Sequence, residues 1–372
     1  MKEISIHDIK GIKVGHAQNF EGATGCTAII CEKGAFAGVD VRGGGPASRE
    51  TELLKPVNMV QQIHCVMLSG GSAYGLEAGD GAMQYLEEQD VGFDVGVAKV
   101  PIVCGASLFD LVVGDPKCRP DKAMGYEACK NAGTCEPAQG NVGAGTGASC
   151  GKYLGVDRMC KSGLGIYAVQ LGDIQVAAVV ATNPLGDIVD WDTLKPLAGL
   201  MTEDKTALAS TEKVMYEELG KARDVWKGNT TIGCIITNAK LDKSQCNKLA
   251  SIAHNGYART IRPVHTSADG DTIFVMSTAE VDCNPDALGC LATEVMGRAI
   301  NRAALNSEPA YGLKSAQSFT EIIVSSFSSQ MPNALRTKPP WGVRSFSPPP
   351  LTPARFHITM IKKPTGCPTA SS

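Results

Sequence analysis

Lys227-Gly228-Asn229-Thr230-Thr231-Ile232-Gly233-Cys234-Ile235-Ile236-Thr237 is the stretch on which the reading of this chain turns. A polar, glycine-containing linker gives way at Thr230 to an apolar, β-branched run that reads as a strand. Upstream, Met201 to Arg223 is rich in Glu, Lys, Ala and Leu and reads as a helix with capping chemistry in Thr202-Glu203-Asp204. By itself Gly228-Asn229-Thr230-Thr231 is a helix-to-strand loop. If the chain were cut before Thr230, that residue would carry a hydroxyl and an α-amine on neighbouring carbons. Such an amine has a pKa of ~7.7–8.0 and can take the hydroxyl proton near neutral pH, making nucleophile and base one residue. The hydroxyl can make the cut itself by attacking the preceding carbonyl, and Gly228 gives the backbone freedom for that attack.

Four other segments could keep Thr230 company. Asp269-Gly270-Asp271, within His265-Thr266-Ser267-Ala268-Asp269-Gly270-Asp271-Thr272, places two carboxylates around a glycine. It reads as a surface turn before a strand, or as a pair that orients an ammonium and a hydroxyl; EF-hand ligand spacing is absent. Asn183-Pro184-Leu185-Gly186 ends an apolar run, as turn chemistry or as an amide donor to an oxyanion. Gly143-Ala144-Gly145-Thr146-Gly147, followed by Lys152, lacks the phosphate-loop spacing. Ser69-Gly70-Gly71-Ser72-Ala73-Tyr74-Gly75 is a strand-to-helix elbow that could present Ser or Tyr at a pocket rim, but it is not the G-x-S-x-G of esterases.

The rest of the chain reads as mixed α and β. Cys26 to Val41 suggests two short strands around a Gly turn, Glu52 to His64 a helix, Cys65 to Leu68 a buried strand, Ala73 to Glu88 a helix and Val91 to Val103 strand. Residues 115 to 150 read as loop-rich. Ile166 to Leu171 and Ile174 to Thr182 form a hairpin about Gly172-Asp173. Lys243 to Ile261 and Pro285 to Leu305 are helices flanking a strand at Ile273 to Ser277. Without a βαβ rhythm, layered α+β, with sheets between helices, is the expected class. From Glu308 the composition changes. Ten of the 20 prolines fall from Pro309 onward, so residues 308–372 read as a disordered tail beyond one catalytic domain, 1–307.

Composition narrows the partners. Of the 372 residues 43% are hydrophobic and 20% charged, enough for a large core; a net charge of -3 argues against nucleic acid or an anionic membrane as partner. No apolar run approaches the ~20 residues of a membrane helix, and no signal-peptide core precedes Lys13, so a cytoplasmic address is expected. Fourteen cysteines without a Cys-x-x-Cys pair read as buried, reduced thiols rather than a zinc site.

Taken in order, the segments Gly25-Cys26-Thr27, Val39-Asp40-Val41-Arg42-Gly43-Gly44, Ser69 to Ala78, Gly143 to Gly147 with Lys152, Asn183-Pro184, Gly228 to Ile232 and Asp269 to Thr272 resemble those of the DmpA-type aminopeptidases and nylon-oligomer hydrolases, peptidase family S58. The resemblance implies a four-layer αββα sandwich like that of N-terminal-nucleophile hydrolases. It also implies self-cleavage between Asn229 and Thr230 into an α chain, 1–229, and a β chain opening on Thr230, assembled as tetramers of such pairs. By the same resemblance Thr230 is the nucleophile and its new amine the base. Asn183 holds the oxyanion, Tyr74 stands at the substrate carbonyl or pocket wall, Asp269 and Asp271 orient the nucleophile, and Lys152 biases its protonation. Peptides or small amides are the implied substrates, with no cofactor and no metal. Thr230, Lys152 and the Asp-Gly-Asp pair look closer to the nylon-oligomer branch, whose bond type, rather than its synthetic polymer, is what carries over. The proline-rich tail departs from the family. An acetyltransferase of the ornithine acetyltransferase type, which passes the acyl group to an amine, and a non-enzymatic homologue of the same fold are the alternatives.

Overall fold

Alternate residues along the central strands face two different interiors, and this sorting defines the architecture. In the computed structural model, which describes residues 1–221 and 228–319, eight main strands carry the frame. They are β1 (Lys13–Asn19), β2 (Thr24–Val41), β3 (Gln62–Ser69), β4 (Val103–Ser107), β5 (Leu164–Leu171), β6 (Ile174–Ala181), β7 (Ile232–Ala239) and β8 (Thr272–Val281). The helices are α1 (Ala78–Glu88), α2 (Lys122–Lys130), α3 (Thr211–Glu217), α4 (Lys243–Thr260) and α5 (Pro285–Leu305).

On β6, Val176, Ala178 and Val180 pack in one core with α4 and α5, while Ala177, Val179 and Ala181 pack in a second. On β3, Val66 and Leu68 enter that second core, while Cys65 and Met67 enter a third, shared with α1 and α2. Three stacked cores separate four layers, α4–α5, sheet, sheet, α1–α2, which is the αββα sandwich expected. β2 serves both sheets. Its first half pairs with β1 and β3, its second half, Phe36 to Val41, pairs antiparallel with β8, and the register on β3 shifts between Ile30 and Ala35. The two short strands expected over Cys26 to Val41 are therefore one continuous strand.

The hairpin β5–β6 and the last two helices form where the sequence places them. α4 is closed by a capping box, Gln245 N–H to Asp242 Oδ1 at 2.8 Å and Asp242 N–H to Gln245 Oε1 at 2.9 Å. α5 starts on Pro285 under an Asn284 cap. Other expectations fail for local reasons. Glu52 to His64 is a single 3-10 turn, Glu52–Leu54, and then strand, because Pro56 cannot continue a helix. Within 115–150, α2 forms on an Asp121 cap. The helix expected from Met201 begins only at Thr211. Before it, Asp204 accepts from the Thr202 and Thr206 hydroxyls at 2.5 and 2.7 Å, and these local bonds compete with the helix. The end of that expected helix, at Arg223, lies outside the described residues.

The body does not stop at residue 307. Lys161 N–H donates to the Lys314 carbonyl at 2.7 Å, and Ala316 and Phe319 are buried against the α4–α5 core. The remainder of the expected tail, 320–372, lies outside the described residues.

Candidate active site

β7 and β8 run parallel, with Ile232 opposite Thr272, so the residues entering both strands meet at one edge of the sheet. Thr230-Thr231 therefore lies beside Asp269-Gly270-Asp271, although about forty residues separate them in sequence. β6 runs antiparallel on the other side of β7, with Ala181 opposite Ile232, and its continuation brings Asn183 to the same edge. Lys152 follows the short strand Ser149–Cys150 and is tied in by its own N–H to the Leu185 carbonyl at 2.9 Å. Strand pairing thus gathers five of the sequence candidates, and all five are buried.

Their contacts form one network. Thr230 N–H donates to the Asn183 carbonyl at 2.8 Å, and Lys152 Nζ donates to the same carbonyl at 3.0 Å and to Asn183 Oδ1 at 2.8 Å. Asn183 Oδ1 also takes Ser149 N–H at 2.9 Å, and its Nδ2 donates to the Phe109 carbonyl at 2.9 Å. Asp271 Oδ1 accepts Thr231 N–H at 2.8 Å. Asp269 accepts Leu185 N–H at 3.1 Å and both the N–H and the hydroxyl of Thr266, at 3.0 and 2.5 Å. The Thr230 hydroxyl donates to the carbonyl of Asn229, and the Asn229 side chain donates to the Ala268 carbonyl at 3.3 Å. Gly270 has to be glycine, since a Cβ there would stand 2.6 Å from Thr230 Oγ1.

Burial reshapes the acid–base behaviour. It pulls the Lys152 ammonium down to about 7, against the pull of Asp269 and its neighbours, so the neutral amine is accessible near neutral pH. Burial, reinforced by the charge of Asp271, pushes the Asp269 carboxyl up. A second buried pair stands behind the site. Lys161 is lowered to about 7 by burial and donates to the Gly145 and Ala148 carbonyls at 3.0 Å each. Asp110, raised to about 6 by burial, accepts Gly71 N–H and the Thr24 hydroxyl, both at 2.7 Å.

Thr230 opens on a cavity of about 440 Å³ whose walls include Gly45, Ser72, Ser107, Phe109 and Ser267. Tyr74 is not among the lining residues. It is 61% exposed, with the Arg119 guanidinium 4.0 Å from its ring centroid. Ser72, from the same elbow, takes the place in the wall. The sequence does not point to Ser107, Phe109, Asp110 or Lys161, which stand singly with no spacing pattern around them. No group of residues suited to a metal ion occurs among the described residues.

The model of peptidase family S58 matches residues 5–318. This chain belongs to that family. It is similar to an uncharacterized aminopeptidase of Mycobacterium tuberculosis, 37% identical over 339 residues, covering 83% of this chain and 96% of the relative. It is also 34% identical over 318 residues to the 6-aminohexanoate-oligomer endohydrolase of a Kocuria strain, covering 80% and 85%. The L-aminopeptidase D-Ala-esterase/amidase of Ochrobactrum anthropi, a variant of the Ntn hydrolase fold, superposes with a TM-score of 0.63 at 17% identity, covering 87% of this chain and 94% of the other. The S58 chain described here is accordingly a hydrolase of peptide or linear amide bonds, built on the Ntn-hydrolase-like sandwich.

Proposed function

We propose that this S58 hydrolase matures by cutting its own Asn229–Thr230 bond and then uses Thr230 as the nucleophile on amide substrates. The observation that carries the reading is the convergence on Thr230. Its N–H and Lys152 Nζ share the Asn183 carbonyl, Asp271 holds the next amide, and the hydroxyl lies on the carbonyl it would attack. In the unbroken chain the Thr230 nitrogen is an amide and cannot act as a base, so the first proton has to go elsewhere. Lys152, neutral in part near pH 7, is the amine at hand.

In maturation Thr230 Oγ bonds to the Asn229 carbonyl carbon. The carbon–nitrogen bond breaks, and the proton taken from the hydroxyl is returned to the departing nitrogen. Water then opens the ester, leaving a carboxylate on Asn229 and a free hydroxyl and amine on Thr230. In turnover that amine is the base. Thr230 Oγ adds to the substrate carbonyl, the leaving amine takes the proton, and water hydrolyses the acyl-enzyme. Asn183 Nδ2 has a second N–H beyond the one given to Phe109 and supplies a donor to the oxyanion.

The relatives named aminopeptidase and 6-aminohexanoate-oligomer endohydrolase support short linear amides as substrates, with the bond type shared between them. Thr230→Ala should give a folded chain with no cleavage at 229–230 and no amidase activity, whereas Thr230→Ser should keep both. A Thr230→Ala chain that still splits at this bond sinks the assignment.

A further inference from the structure

His265 is not used by the mechanism above, yet it makes two of the three bonds to Asp271. Its backbone N–H reaches Asp271 Oδ2 at 3.0 Å and its Nδ1 reaches the same oxygen at 2.8 Å, while Oδ1 takes Thr231 N–H. The carboxylate is fully buried and held from both sides, by His265 on one and by the residue after the nucleophile on the other. His265 also sits at φ +57°, in the left-handed region that a histidine enters at a cost of roughly 1–2 kcal/mol.

The surroundings fix which ring nitrogen carries the proton. The His254 ring of α4 packs edge-on at 4.7 Å between centroids, and the Tyr257 ring stacks at 6.1 Å. Burial holds His254 well below the usual imidazole range, so it is neutral and its Nε2–H donates to the Asp40 carbonyl at 3.0 Å. An ionised carboxylate can only accept, so a bond from the ring to Asp271 Oδ2 is made by Nδ1–H. The charged and titratable groups facing His265 are Asp269 and Asp271 on its own loop and His254 and Tyr257 on α4. Asp40 and Arg42 stand behind His254 on β2, and Asp187 lies on the strand paired with 261–262.

We propose that His265 is a positioning residue for the chemistry at Thr230, its Nδ1–H holding the Asp271 carboxylate against the Thr231 amide. The proposal rests on the reading of Thr230 as the self-cleaving nucleophile. It adds that the second carboxylate works only while a charge-assisted donor holds it.

The test is the rate of self-cleavage of the full chain as a function of pH, followed by intact mass, with melting temperature as the check on folding. His265→Gly keeps the backbone N–H, relieves the left-handed strain and removes the ring, its Nδ1 donor together with its packing on His254 and Tyr257. His265→Asn restores an amide donor near the position of Nδ1, and asparagine tolerates the same backbone. The glycine variant should cleave about ten- to a hundredfold more slowly at neutral pH. The asparagine variant should recover most of the rate. His265→Ala repeats the comparison with the strain kept, should the glycine chain not fold. A wild type that cleaves, with glycine and alanine variants matching it in rate, overturns the role of His265 alone. So does an asparagine variant as slow as glycine when both melt as wild type does. A wild type that never cleaves before Thr230 overturns the reading of Thr230 and this role with it.

Discussion

At the residue scale the proposed self-cleavage turns on Lys152. Its ammonium is buried among carbonyls and lowered to about 7, so a neutral amine is accessible there near neutral pH. Because the lysine pKa is depressed, the basic form is lost as pH falls through about 7. Self-cleavage should therefore be slow at pH 5, rise through neutrality and level off above it. Lys152→Gln should slow the cut and remove that limb, measured as fragment yield against time across a pH series. A variant with the wild-type limb would take Lys152 out of the proton path. Thr230, Asn183, Lys152, Asp269 and Asp271 were all legible in the sequence, because each closes or opens a strand within a recognisable motif. Tyr74 was legible as a motif member, but the 3-10 turn Ser72–Glu77 carries it outward under Arg119, and Ser72 faces the cavity. Asp110 and Lys161 are placed by burial and contacts across the fold, and His265 by a turn back onto Asp271, which no local spacing records.

At the element scale, the parallel register of β7 and β8 makes the site, and it is the least visible feature in the sequence. Each strand could be read from its apolar run, but their adjacency depends on β8 sitting between β7 and the far half of β2. Elements with strong local signals, such as the β5–β6 hairpin and the capped α4 and α5, were readable. Met201 to Ser210 was not, because the bonds of Asp204 to Thr202 and Thr206 compete with the helix. α3 starts after the Ser210 cap, where the Asp187 carboxylate takes the Thr211 N–H and hydroxyl at 2.7 Å each. Helix and sheet approach closely at Gly165 on β5, where a Cβ would run into the Ala299 carbonyl of α5. Gly165→Ala should cost about 1–3 kcal/mol in denaturant unfolding, as overpacking does, without moving a single group of the site. An unchanged midpoint would mean that α5 can shift away freely.

At the scale of the whole molecule, the four layers follow from the alternation of apolar residues, and the sequence supported them once the family resemblance supplied the order. The boundary at 307 did not survive packing. Phe319 and Ala316 lie in the α4–α5 core, and Asn141 Nδ2 holds the Glu308 carbonyl at 2.9 Å. The composition shift at Glu308 marks a change of chain character, and the core extends past it. A chain ending after residue 307 should therefore be less stable than one ending after 319, by about 2–3 kcal/mol for the lost phenylalanine burial alone. Equal melting temperatures would show that 308–319 contributes nothing. The most direct test of the account is the intact mass and N-terminal sequence of freshly purified wild-type protein held at neutral pH. The account predicts two fragments, the C-terminal one opening Thr230-Thr231-Ile232. A single uncut chain persisting after long incubation would contradict it.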